Sequence, residues 1–304
     1  MKAALAAARE TFTPLRTLIA VLSELAKARL TALVLITTLT GFFVARGEAT
    51  TWLTGLHVML GTALVAAGAA ALNQWWERDL DRLMERTAGR PLPSGQVEPG
   101  FALGLGLVSA ATGIVYLAAL VNGLTALLGA AALVSYVLIY TPLKTRTTLN
   151  TLIGAVPGAL PPLMGWAAAR GEMGAGGVAL FGVLLLWQIP HFMAIAWLYR
   201  DQYAQAGFRM MPVVDPAGRA TGWWAVVCAA LLIPVSVVPS VVGVAGSLYA
   251  LGALSMGLAF LWTAIRFTAE RERSRARLLF FASIIYLPLL LGLLMLDSAL
   301  RSVA

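Results

Sequence analysis

Residues 56–95 read LHVMLGTALVAAGAAALNQWWERDLDRLMERTAGRPLPSG, an apolar run that turns polar at Asn73 with no glycine or proline at the junction. The part from Leu56 to Leu72 carries no formal charge and approaches the roughly 20 residues that a helix needs to cross a bilayer. Beyond it, Asn73, Glu77 and Asp81 are spaced i, i+4, i+8. Each step of four turns a helix by about 400°, so the three side chains form one stripe. Asp79 falls off that stripe, near Arg78 and Arg82. Two carboxylates and an amide at the end of a membrane-length helix suit a hard divalent cation, and oxygen ligands of this kind hold Mg2+, which usually also binds substrate phosphates. Arg86 and Arg90 follow as donors suited to phosphate oxygens. The same residues also fit a charged loop between membrane helices held by surface ion pairs, and spacing alone leaves both readings open.

The rest of the chain has the composition of a membrane protein: 60% hydrophobic and 12% charged over 304 residues, against roughly 25% charged in soluble proteins. Nine runs near membrane-spanning length stand out, at about Leu30–Ala45, Trp52–Leu72, Gly100–Leu120, Leu124–Tyr140, Leu149–Ala169, Gly176–Leu198, Trp223–Ser240, Ala245–Phe267 and Leu278–Leu296. The expectation is an all-α, polytopic bundle forming one integral-membrane domain over 1–304, with 1–25 as an N-terminal segment. That segment lacks the short apolar core and small-residue cleavage site of a signal peptide. Around Leu15–Leu25 it suits an amphipathic helix lying on the membrane surface. The single cysteine, Cys228, excludes an intramolecular disulfide and a cysteine-built metal site.

Charge sorts by side. The N-terminus, 73–99, 141–148, 199–222 and 266–277 hold 19 of the 22 basic residues, leaving only Arg46, Arg170 and Arg301 opposite. By the positive-inside rule the N-terminus and long polar loops are cytoplasmic and the C-terminus is outside. The net charge of +8 is therefore topological and calls for no nucleic acid. Chemistry is expected on the long inner loops, 73–99 and 199–222, positioned by a rigid helical scaffold.

Three further constellations share that side. Tyr140 to Asn150 joins spans four and five, with Lys144, Arg146 and Asn150 at the mouth of the bundle. They read as positive-inside anchors or, beside a carboxylate–metal site, as diphosphate ligands. His191, Ile195, Tyr199 and Tyr203 recur every four residues along the sixth span and its following loop, and Asp201 could bring another carboxylate toward the first island. Polar groups within a span are costly and become functional candidates, although a lone histidine also serves as a hydrogen-bonded packing residue. The third constellation is Lys27-Ala-Arg29 at the start of the first span, where Arg29 would reach the interface and a phosphate. His57, some 24 Å up the helix from Asn73, is expected near the outer face. Pro157, Pro161 and Pro162 should bend the fifth span, either as a tolerated kink or to widen a cavity.

Asn73, Glu77 and Asp81 followed by Met84, Arg86, Thr87, Arg90, Pro91 and Leu92 resemble the intramembrane aromatic prenyltransferase superfamily and, more narrowly, its haem O synthase (protohaem IX farnesyltransferase) branch. Tyr140, Thr141, Leu143 and Lys144 match a family signature with one residue's difference in spacing. The segments Asn150–Pro162, Pro190–Ala194 and Tyr199–Gly207 match further family patterns, so the resemblance covers essentially the whole chain. Departures are Ala28, where the family often has proline, and Phe208-Arg209 before Met210, where the family usually has a proline.

The resemblance implies a central cavity open to the cytoplasm and to lipid, in a bacterial-type inner membrane or its organellar equivalent. It implies transfer of farnesyl from farnesyl diphosphate to a vinyl carbon of haem b, with water added, giving haem O for haem-copper oxidases, often after a downstream haem A synthase. Mg2+ on Asn73, Glu77 and Asp81 would neutralise the leaving group. Arg29, Arg86, Arg90, Lys144, Arg146 and Asn150 would bind the diphosphate, and Asp201 is added to the catalytic set. His191, Tyr199, Arg200 and Tyr203 would serve the haem side, where a neutral imidazole is a common axial ligand. The competing readings are a prenyltransferase acting on a quinone precursor or a chlorin, and an ion-coupled transporter, whose site would sit near mid-membrane on broken helices.

Overall fold

A computed structural model describes residues 17–47 and 50–303. The basic positions Lys2, Arg9 and Arg16 lie outside the described residues. Among these residues there are nine helices long and apolar enough to cross a membrane, and no strands. We label them α1 (Ala28–Ala45), α2 (Trp52–Asp81), α3 (Pro99–Leu120), α4 (Gly123–Leu143), α5 (Asn150–Arg170), α6 (Ala175–Leu198), α7 (Arg219–Val241), α8 (Ser247–Glu270) and α9 (Arg273–Val303). A further stretch of helix occupies 17–25, within the region expected to lie on the membrane surface.

The nine expected spans are all present. The main differences lie at helix ends. α2 continues nine residues past Leu72, and α9 starts before and ends after its apolar run. The apolar pattern ends where the hydrocarbon would end, whereas the helix ends only where its hydrogen bonding is broken. At 30 residues, α2 is about 45 Å long, against a hydrocarbon thickness of about 30 Å. Its last turns therefore carry Asn73, Glu77 and Asp81 out to the end of the bundle where the long loops gather.

Small residues set the helix spacing. Gly68 lies against Gly106 and Ala110 across the α2–α3 contact, where a Cβ would come within 2.6 Å of the Ala110 nitrogen. At the α1–α5 crossing, a Cβ on Gly41 would collide with the Pro162 carbonyl, and one on Gly165 with the Thr38 carbonyl. Such close approach is how membrane helices gain packing contacts when the surrounding lipid is as apolar as their side chains.

Two apolar clusters lie to either side. One joins α6 to α9 through Leu180, Val183, Phe260, Phe267 and Leu290. The other packs Phe42, Val58, Val65, Leu117 and Met164 toward the end opposite the long loops. Leucines and isoleucines such as Leu107, Leu251 and Ile285 remain exposed on the periphery, where lipid would cover them.

Candidate active site

The stripe on α2 faces inward and is buried: Asn73, Glu77 and Asp81 expose 1%, 4% and 1% of their surface. A cation or a hydrogen-bond network meets each one. Lys144, just past the end of α4, lies 2.7 Å from Glu77 Oε1 and donates to Oε2 at 2.9 Å. Arg90 donates to Asp81 Oδ2 at 2.7 Å. Asn73 Oδ1 accepts from Lys27 Nζ at 2.8 Å and from the Tyr136 hydroxyl at 3.3 Å, while Asn73 Nδ2 donates to Thr141 Oγ1 at 3.0 Å. The ion-pair reading of the polar island is thus correct for Asp79, which is exposed between Arg78 and Arg82. The stripe differs in that its carboxylates are ion-paired while buried, which a surface loop would not require.

Of the Lys27-Ala-Arg29 constellation, where the sequence points to Arg29, the structure brings Lys27 to the stripe. Arg29 is exposed, whereas Lys27 adopts a left-handed backbone (φ 46°) just before α1 and aims its amine at Asn73. A non-glycine residue in that region stores strain and persists only when its surroundings over-determine it. Here Gln74 supplies the restraint by donating to the carbonyls of Glu24 and Leu25 at 3.1 and 2.8 Å. Leu25, fully buried against Leu92 and Ala102, anchors the same turn.

Electrostatics follow from this crowding. Burial, reinforced by the nearby Arg90 and Lys144 charges, pulls the Lys27 amine down to about 7, despite the opposing pull of Glu77 and Asp81. Burial acts on Lys144 in the same sense, but Glu77 together with Tyr140 and Tyr136 more than offsets it and holds that ammonium above the usual lysine range.

The loop after α2 folds back to bring Arg90 to Asp81. Thr87 Oγ1 donates to the Asp81 carbonyl at 2.8 Å, Arg82 Nε donates to the Pro93 carbonyl at 3.2 Å, and Met84 and Leu92 are buried as anchors. The second long loop joins at the rim. Arg86 donates to the Tyr203 hydroxyl at 3.3 Å, with its guanidinium 5.1 Å from the Tyr199 ring centroid.

Tyr136, which no sequence motif singles out, joins Tyr140 at the site. They sit in a π-helical stretch, Ser135–Tyr140, inside α4. Extra-wide turns of this type recur at functional sites. Their rings stack at 5.6 Å, and Lys144 Nζ lies 4.7 Å from the Tyr140 ring centroid. Both tyrosines line an apolar cavity of about 270 Å3 inside the bundle, with Ala66, Ala69 and Ala70 of α2 and Pro157, Gly158 and Pro161 of α5 on its walls, and Tyr136 links it to the stripe through Asn73. Pro157 and Pro161 of the proline run thus lie on the cavity wall.

Four expected site residues lie elsewhere. Asp201 has an 85% exposed side chain whose ion-pair partner is its neighbour Arg200, at 3.7 Å. It does not approach Glu77 or Asp81, because the short helix Arg200–Gln205 turns it outward. Arg200 stacks on Trp197, and Arg146 is exposed. His191 is sandwiched between the Trp187 and Phe280 rings, with Nδ1 2.7 Å from Ser283 Oγ on α9, and it does not line the cavity. These contacts are those of a packing histidine in the substrate-free protein. Asn150 is fully buried, but its amide donates to the Thr147 and Arg209 carbonyls, so it ties the second loop to the mouth. His57 meets Tyr116 at 2.8 Å on the far half of α2, away from the stripe.

The donor set fits a magnesium ion in one specific way. No group of three or more His, Cys, Asp or Glu side chains forms a metal cage among the described residues. The stripe offers two carboxylates and an amide, and the Lys144 ammonium, 2.7 Å from Glu77 Oε1, is what holds that oxygen. Mg2+ usually takes one or two carboxylates and completes its shell with water and substrate phosphates. The surrounding Lys27, Arg90 and Lys144 would meet those phosphates.

The UbiA prenyltransferase family matches this chain over residues 34–285. A curated relative from Solibacter usitatus (strain Ellin6076), named protoheme IX farnesyltransferase, is 48% identical over 283 residues, spanning 90% of this chain and 97% of its own. A relative of the same name from Koribacter versatilis (strain Ellin345) is 43% identical over 286 residues, spanning 90% and 92%. Among solved structures, a digeranylgeranylglyceryl phosphate synthase superposes with a TM-score of 0.79 at 17% identity, covering 92% of this chain and 98% of its own. A UbiA homolog from Archaeoglobus fulgidus, bound to GPP and Mg2+, gives 0.69 at 15% identity, covering 92% and 99%. At these identities the superpositions show a common fold.

Proposed function

The chain belongs to the UbiA prenyltransferase family, and from that premise we propose that it transfers the farnesyl group of farnesyl diphosphate to a vinyl group of haem b, with addition of water, giving haem O. The observation that carries the prenyl half is three half-buried cations against the oxygens of three buried side chains, beside an apolar cavity. The names of relatives at 43–48% identity support haem b as acceptor.

The resting ion pairs explain how a diphosphate is received. Lys27, Arg90 and Lys144 exchange carboxylate and amide oxygens for phosphate oxygens, which leaves Asn73, Glu77 and Asp81 to hold Mg2+. When bound, the metal supplies charge neutralisation for the leaving diphosphate. The three cations do the same from preset positions in a partly desolvated site, where such interactions are strongest. Cleavage of the C1–O bond releases diphosphate and an allylic cation. The Tyr136 and Tyr140 rings at the mouth present π faces to that cation, and the apolar walls keep water from it. The vinyl π electrons form the new C–C bond, and water then adds to the resulting cation with loss of a proton. Arg86, Tyr199 and Tyr203 form the rim that would meet the macrocycle and its propionates. In the substrate-free protein His191 is packed against Ser283 and Asp201 is exposed, and these steps need neither.

The loop-rich end faces the cytoplasm of a bacterial-type membrane in this reading, and haem O would pass to haem-copper oxidases, directly or through a haem A synthase. The test is to incubate the purified protein in lipid with Mg2+, farnesyl diphosphate and haem b, and to identify extracted haem by mass spectrometry. Haem O is the expected product. Prenylation of 4-hydroxybenzoate with none of haem b would move the function to the quinone-precursor reading.

A further inference from the structure

The apolar cavity has a definite depth. On α5 its lining begins at Gly154, against which the Tyr140 ring packs, and ends at Met164. Ten residues of helix at 1.5 Å each make that wall about 15 Å long. On α2 the lining runs from Ala70 to Thr62, about 12 Å, with Asn73 a little under one turn above it.

The cavity then stops against solid packing. Val65 and Met164, at its deep end, are 4% and 2% exposed and belong to the same apolar cluster as the fully buried Phe42 and Leu117. Gly129 closes the gap behind them, where even a Cβ would lie 3.3 Å from the Met164 methyl and 3.2 Å from a Leu117 methyl. Thr62 completes the floor, with its buried hydroxyl lacking a partner.

An extended chain advances about 3.8 Å over three bonds, as between consecutive Cα atoms, so a four-bond isoprene repeat spans about 5 Å. Three repeats match the wall, and a fourth would have to enter the packed cluster. We propose that Thr62, Val65 and Met164 form a floor that sets the accepted prenyl chain at three isoprene units. The proposal rests on the reading of this cavity as the isoprenoid channel.

The test measures diphosphate release from C10, C15 and C20 prenyl diphosphates, with Mg2+ and with or without haem b, so that chain preference is read independently of acceptor. The wild-type protein should prefer C15 over C20 by at least about tenfold, since a hydrophobic pocket discriminates by roughly 10–200-fold per misfit methylene. Met164→Ala should raise the C20:C15 ratio of kcat/KM about tenfold or more. Thr62→Leu, which fills space rather than opening it, should raise the C10:C15 ratio by a similar factor and stands as the second arm if Met164→Ala fails to fold. A wild type that accepts C20 as well as C15, or folded variants whose ratios do not move, would overturn the floor. C15-selective diphosphate release with no alkylation of haem b would uphold the floor and overturn the acceptor.

Discussion

The Glu77–Lys144 pair offers a way to separate structure from chemistry in one site. Both side chains are largely withdrawn from solvent, at 5% and 12% exposure, and lie 2.7 Å apart. Removing one partner leaves a buried charge without compensation, which costs about 3–5 kcal/mol where burial is complete. The residual access at Lys144 puts the cost near the lower end, about 3 kcal/mol. Helix-end carboxylates would ordinarily be dispensable for packing, but this one is not, so Glu77→Ala should lose stability as well as turnover. The double variant Glu77→Met/Lys144→Met removes both charges and keeps comparable volume, and replacing a buried pair by apolar residues is often neutral. Its thermal midpoint in detergent should therefore return close to wild type. Its activity should not, because both groups serve the departing diphosphate. Losing one preset electrostatic stabiliser costs about 100- to 1,000-fold in kcat, and the double variant should fall at least that far in haem O production. Stability by thermal scanning and product by mass spectrometry are read on the same preparations. Recovery of activity along with stability in the double variant would refute the site and leave the pair as a structural strut.

Other outcomes follow from the same geometry. Asp201→Asn and Arg146→Ala should change kcat and KM less than about twofold, because both side chains are exposed away from the stripe; a tenfold loss in either would return it to the site. Gly41→Ala should cost about 2–3 kcal/mol in thermal stability, since its methyl would meet the Pro162 backbone, which has no free torsion to relieve the clash. Lys27 titrates near 7 in the folded protein against 10.5 for a free lysine. The native state thus binds fewer protons than the unfolded state between these values, and stability of the substrate-free protein should rise with pH through that window. Lys27→Met should flatten that rise, as followed by melting at pH 6 to 9. Reporter fusions after Gly95 and after Asp215 should read cytoplasmic; a reading on the opposite side at either position would invert the proposed orientation.

What the sequence determined by itself is what depends on local periodicity. Nine apolar runs require nine helices, since a backbone in lipid must satisfy its own hydrogen bonds. The i, i+4, i+8 spacing places Asn73, Glu77 and Asp81 on one face whatever surrounds that face. The partners of that face are a different matter. Apart from Arg90, nine positions from Asp81, they come from 46 to 68 residues away, as Lys27, Tyr136, Lys144 and Thr141 do. Which of several nearby cations arrives depends on how helices pack and how the connecting backbone turns. Lys27 displaced Arg29 because of one left-handed residue held by Gln74, and a π-helical turn brought Tyr136 to Asn73. Asp201 and His191 carry the right chemistry at plausible spacing, yet the tertiary structure turns one to solvent and packs the other against Ser283. The depth of the cavity was likewise beyond sequence, because it is set by where Val65 and Met164, from two helices about 100 positions apart, close on each other.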